Sequence, residues 1–140
     1  MSTENNKQVV SRFFDAMFRG DVDAARALMA EDATWWVPTN DAAGYTSTRD
    51  KVIKGAGRFV AAFKVPPRFE VTGMVAEGEF VTVEHIARGG ITFSGNTYDN
   101  NYHSLCRLRD GLIREIREYM NPIMAGPIMA ELQARRAEAQ

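Results

Sequence analysis

The stretch covering residues 100–122, NNYHSLCRLRDGLIREIREYMNP, constrains the fold more than any other part of the chain. It reads as two alternating strands joined through Arg109-Asp110-Gly111, with the glycine that a tight hairpin needs. The even positions are the less polar in both strands: Tyr102, Ser104, Cys106 and Leu108, then Leu112, Arg114, Ile116, Glu118 and Met120. Successive side chains of a strand point to opposite faces, so the even set is taken as the core face. The odd set, with His103, Leu105, Ile113 and Tyr119, then lies outside. Glu118 is out of place, a carboxylate between Ile116 and Met120. Its companions depend on the turn, because a one-residue slip exchanges the faces of a whole strand. A two-residue Asp-Gly loop would set His103 beside Glu118. A three-residue loop with its glycine in the left-handed region sets Tyr102 and Ser104 there, and the apolar pattern favours that register.

The chain before this hairpin changes period once. Val9, Val10, Phe13, Phe14 and Met17 make an apolar stripe that predicts a helix over about 4–19, stopped by Gly20. Asp21 caps a second short helix to about residue 30, and a strand over 33–37 ends at Pro38. A polar loop, TNDAAGYTS, follows, and Ser47-x-x-Asp50 reads as a capping box for a third helix over about 48–63. That helix is expected to bury Val52, Ile53, Ala56, Phe59, Val60 and Phe63. After Pro66-Pro67 the pattern alternates. Phe69, Val71 and Val75 share one face of a strand over 68–77. Val81, Val83, His85, Ala87 and Ile91 line up on a longer one from 80 to about 93. Turns at Glu77-Gly78-Glu79 and Ser94-Gly95-Asn96 connect these strands. Helices followed by hairpin-linked strands predict an α+β fold, a curved antiparallel sheet whose three N-terminal helices enclose a cone-shaped pocket. The chain is expected to be one domain over 1–140, with its core at about 5–122 and a C-terminal helix over 123–140 carrying Ile128, Met129 and Leu132.

Composition narrows the function classes. At 140 residues the chain can bury about 68% of its unfolded surface. A net charge of −1 without a basic block argues against nucleic acid. No run of apolar residues is long enough to span a membrane. The polar start MSTENNKQ reads as having no signal peptide, and the single Cys106 fits a reducing cytoplasm. No His/Cys spacing of zinc type, phosphate loop or dinucleotide fingerprint is present, so neither metal nor cofactor is expected.

The aromatic-rich strand, the Asp-Gly turn and the run IREYMNP resemble the C-terminal half of SnoaL-like proteins related to ketosteroid isomerase, within the nuclear transport factor 2-like superfamily. GDVDAARALMAEDATWWVP near the start fits the same pattern, and the resemblance covers roughly residues 5–122. It implies the cone-shaped fold, an apolar ligand cavity and pairing of two copies through the outer sheet face. It does not choose an activity, because the fold hosts many.

Several residues are candidates for chemistry. Glu118 is either paired with a cation such as Arg114 or a functional carboxylate whose pKa an apolar setting raises. It stands where the limonene epoxide hydrolases of the superfamily carry the acidic residue that activates water. His85 is either a satisfied core histidine or a proton carrier working with Glu118. Tyr102 is either wall or hydrogen-bond donor to a substrate oxygen. Trp35, Val37, Asn100, Ser104, Ile116 and Met120 are expected to line the cavity. Epoxide hydrolysis needs an Arg-x-Asp pair where this chain reads His85-Ile86-Ala87. Steroid isomerisation needs groups replaced here by Val37, Phe13 and Ser104. The resulting expectation is a cofactor-independent isomerase, cyclase, dehydratase or hydrolase acting on a small apolar molecule. A ligand-binding or dimerisation module without turnover is the alternative, and a homodimer is expected in either case.

Overall fold

Val9, Val10, Phe13 and Phe14 recur at helical spacing, and the helix they specify, α1 (Thr3–Phe18), buries all four. The Ser2 side chain accepts the Asn5 N–H at one end, and Gly20 adopts a left-handed conformation just past the other. Asp21 caps α2 (Val22–Ala27) through the Ala24 N–H. The computed structural model describes residues 2–139, so Met1 and Gln140 of the expected span lie outside the described residues. The remaining elements are β1 (Met29–Val37), β2 (Tyr45–Thr48), α3 (Arg49–Ala61), β3 (Phe63–Val65), β4 (Arg68–Glu77), β5 (Phe80–Thr92), β6 (Thr97–Arg109), β7 (Leu112–Met120) and α4 (Pro122–Ala139).

The seven strands form one sheet in the order β2-β1-β7-β6-β5-β3, with β4 also on β5. All pairs are antiparallel except β1 with β7, which is parallel and corrects the expected all-antiparallel sheet. The main core lies between α1 and the concave sheet face, where Phe13, Phe14, Trp35, Val81, Val83, Cys106 and Ile116 meet. A second cluster sits under α4 and joins Phe63, Ala87, Tyr98, Tyr102 and Ile128.

Other expectations change in detail. The polar loop contains β2, paired on β1, and Phe63 belongs to β3 rather than to the third helix. Thr48, not Ser47, caps α3, accepting the Lys51 N–H. The second helix ends at Ala27 and β1 begins at Met29.

The organising hairpin reaches the expected faces by another route. Its loop is two residues, Asp110 and Gly111, both with positive φ (53° and 76°), and Arg109 pairs with Leu112. This is the type I′ turn that the right-handed twist of paired strands favours. Left alone, it would have brought His103 beside Glu118. Instead the register shifts between the pairs Leu108–Ile113 and Arg107–Glu115, so Arg114 is an extra residue in β7. Beyond that bulge Ser104 faces Glu118 and Tyr102 faces Met120. Ile113, before it, turns inward and is fully buried, which corrects its placement on the outer face. Two more bulges act alike. One at Thr72 turns Val75 outward and brings Met74 and Ala76 onto the core, while Val71, before it, keeps the face of its partner His85 but is exposed. The other, between Ala87 and Gly90, exposes Ile91 and buries Thr92.

Candidate functional site

The concave face is read in rows across the strands. Val83, Ser104 and Glu118 occupy one row, and His85, Tyr102 and Met120 the next. Phe14 and Phe18 of α1 close over His85, with ring centroids 5.0 and 5.3 Å away. The His85 ring lies flat on the Tyr102 ring at 4.5 Å, with 10° between the planes. Its Nδ1 is buried without a hydrogen-bond partner, and burial pushes its pKa down to about 4. His85 is therefore a neutral imidazole at physiological pH.

Glu118 behaves in the opposite sense. Burial pushes its pKa up to about 7, the range in which a carboxyl both takes and returns a proton. The residue keeps some accessible surface although protein surrounds the carboxyl. Pairing with Arg114 is not what the structure shows, because Arg114 lies 3.6 Å from Asp32 instead. No Lys or Arg reaches salt-bridge distance of Glu118 among the described residues. Opposite it on β6, the Ser104 hydroxyl is fully buried and unpartnered.

His85 and Glu118 share the face but stand two strands apart, about 10 Å across the sheet, with β6 between them. Tyr102, on β6, stacks on His85 and stands one row from Glu118. Its hydroxyl bonds that of Tyr98, and burial, first among the causes, raises the pKa of both phenols. The negative charge of Glu118 adds to that rise at both, and to the rise of the Cys106 thiol to about 12. Cys106 is accordingly an inert buried thiol, its pKa raised above all by burial.

Of the expected lining residues, Asn100 is buried and hydrogen-bonded to Tyr98, while Met120 and Val37 are half-buried. Trp35 packs 5.9 Å from Phe13 and Ile116 has no exposed surface, so both belong to the core. Tyr98 was missed. It shares the parity of Asn100 and Tyr102, and extending the strand two residues earlier would have included it. Among the described residues no three His, Cys, Asp or Glu side chains converge as a metal-binding group. No helix is long and apolar enough to cross a membrane.

Residues 10–116 match the SnoaL-like domain. The chain belongs to the SnoaL-like family. No curated protein sequence matches it. Among solved structures, an NTF2-like protein from Burkholderia xenovorans LB400 is 26% identical, with a TM-score of 0.70 over 91% of this chain and 98% of the other. IdmH, a proposed polyketide cyclase from Streptomyces antibioticus, is 22% identical with a TM-score of 0.73, over 89% and 98%. PrhC from Penicillium brasilianum is 16% identical with a TM-score of 0.78, over 96% and 92%. The last two likenesses speak for the fold alone. Family membership and the α+β architecture are as the sequence led one to expect.

Proposed function

We propose that this SnoaL-like protein is a cofactor-independent acid/base enzyme that moves a proton on a small, largely apolar molecule in its concave pocket. The observation that carries this reading is Glu118: a half-buried residue on the concave face, with no cation at salt-bridge distance among the described residues, its carboxyl held near pKa 7 by burial. As a carboxylate it takes a proton from a carbon next to a carbonyl. The electron pair of that C–H bond moves onto the carbonyl oxygen, Tyr102 donates a hydrogen bond to the oxygen, and the carboxylic acid then returns the proton elsewhere. Isomerisation, aldol-type cyclisation and dehydration all begin with this step. His85, kept neutral, supports the Tyr102 ring.

The test needs no natural substrate. Exchange of the α-protons of 1-tetralone in D2O, followed by NMR, should be accelerated by the protein and rise with pH through about 7 as Glu118 ionises. Glu118→Gln should remove the acceleration. Full activity in that variant would end the assignment.

Pairing of two copies belongs to the same proposal. The outer sheet face carries an open groove of about 650 Å³ lined by Ile86, His103, Tyr119 and Asn121. Beside it Arg117 stacks on Trp36 at 4.0 Å and Tyr119 is 46% exposed. An apolar centre with Arg and Glu at its margin suits a two-fold interface. A reducing, cytoplasmic setting accords with the lone buried thiol.

A further inference from the structure

Ser104 on β6 pairs directly with Glu118 on β7, and side chains paired this way have Cβ atoms about 4.5–5.5 Å apart. Ser104 is fully buried, and its hydroxyl makes no hydrogen bond among the described residues. A buried hydroxyl proton needs an acceptor, and the surroundings of Ser104 offer few. Val83 faces it from β5, Tyr102 and Cys106 flank it on β6, and Ile116 and Met120 flank Glu118 on β7. Helices α1 and α3 bury Phe13, Phe14 and Ile53 in the core over this face, and Asn6 of α1 is engaged with the Gly78 carbonyl. The Tyr102 oxygen is bonded to Tyr98, and Cys106 offers only a weak sulfur acceptor. His85 Nδ1 has no partner either, but His85 stands diagonally, two residues along β5 from Val83, at about 7–8 Å. Glu118 is the nearer acceptor and, when ionised, the stronger one. The reach of its charge agrees with this. After burial, that charge is a further cause raising the pKa of both Tyr102 and Cys106, the residues on either side of Ser104.

We propose that Ser104 is the positioning residue of Glu118: its hydroxyl donates to one carboxylate oxygen and leaves the other to take and return the substrate proton. The inference rests on the acid/base reading for that proton, and on the sheet register alone for the contact. Rotation about the Cα–Cβ bond of Ser104 turns the hydroxyl towards its strand partner, with no movement of the backbone. A hydroxyl suits both protonation states of the carboxyl. It donates to the carboxylate, and once the far oxygen holds the proton it keeps its bond to the near one. A hydrogen bond to the charged form is the stronger of the two, so Ser104 works against burial and lets Glu118 ionise at lower pH. Ser104 acts on the ligand only through Glu118.

Carbon NMR of protein labelled at the glutamate carboxyls reads the contact without any substrate, the Glu118 signal being the one lost in Glu118→Gln. Ser104→Ala should hold the Glu118 proton about tenfold more tightly, so that its titration midpoint moves to higher pH. Ser104→Thr keeps the hydroxyl and should return the midpoint to that of the wild-type protein. The pH profile of 1-tetralone exchange should follow the NMR midpoint in each variant. Thermal melts separate the contact from packing. Loss of an idle buried hydroxyl would raise Tm equally at pH 4 and pH 8. Loss of a bond to the ionised carboxyl should instead lower Tm at pH 8 relative to pH 4. An unchanged midpoint in Ser104→Ala, or a change confined to the ring nitrogens of His85, overturns the proposal. So does an equal rise in Tm at both pH values, or a folded Ser104→Thr that titrates like Ser104→Ala. A midpoint that moves as expected in a protein that exchanges no tetralone protons supports the contact and removes the acid/base reading instead.

Discussion

Two buried ionisable residues pull the protein's stability in opposite directions along the pH axis. His85 has a folded pKa of about 4, below its unfolded value. Its neutral form is the folded one, so stability is full above about pH 6.5 and falls as pH drops towards 4, by about 3 kcal/mol. Glu118 has a folded pKa raised to about 7. The unfolded chain releases that proton first, so stability falls as pH rises from about 4.5 to 7. With allowance for its access to solvent, the loss is about 2 kcal/mol. Glu118→Gln should therefore raise Tm at pH 8 and leave it nearly unchanged at pH 4. An equal rise at both would show that the carboxyl is not held above its ordinary range. His85→Gln should flatten the decline between pH 6.5 and 4 in a calorimetric series. Glu118 was legible as an anomaly in an alternating strand. Its lack of a cation was not, because only the fold sends Arg114 to Asp32.

Turns and helix seats give predictions at the scale of the element. The loop after β1 returns so closely that Trp36 Nε1 donates to the Ala43 carbonyl at 2.8 Å. A Cβ on Gly44, whose φ is +68°, would stand 2.3 Å from that indole nitrogen. Gly44→Ala should cost about 2 kcal/mol or more in chemical denaturation and displace β2 from β1. Helix α4 lies over the second core cluster with Ile128 fully buried. Glu131 holds it to the β5–β6 turn through the Asn96 amide at 2.9 Å, and Arg135 packs over Phe93. Ile128→Ala should cost about 2–4 kcal/mol and speed amide exchange in α4. Unchanged exchange there would show that Ile128 does not seat the helix. The sequence foretold α4 by its apolar positions, and left open which sheet face would receive it. It packs on the concave side, where Tyr98 and Tyr102 offer buried aromatic surface.

For the whole molecule, α4 packs on the concave side, and Glu84, His103 and Tyr119 on the outer face of β5, β6 and β7 are exposed, which bears on assembly. Tyr119 at 46% exposure beside Trp36 and Arg117 is more aromatic surface than a solvated sheet needs. Sedimentation at micromolar concentration should show a dimer, and Tyr119→Glu should dissociate it while leaving the fold intact. A wild-type monomer there would assign the groove to something other than a second copy.

Local chemistry decided much of this protein before any tertiary contact formed. The stripe of α1, the Asp21 cap, the glycine turns and the alternation of β6 each depend on residues within a few positions of one another. They specified helices first, strands after, and an acidic residue on an apolar face. Face assignments along the bulged strands were decided only by the folded sheet. Arg114, Thr72 and the residues around Gly89 enter as extra residues because neighbouring strands must curve and stay paired. A bulge exchanges inside for outside without a reliable mark in composition, which is why Ile113, Val75 and Ile91 ended on the faces opposite to those their parity indicated. The same bulge at Arg114 set Ser104 across from Glu118, and the Asn121 N–H returns to the Asn100 side chain. These contacts join residues on different strands. Their geometry exists only once the sheet has closed.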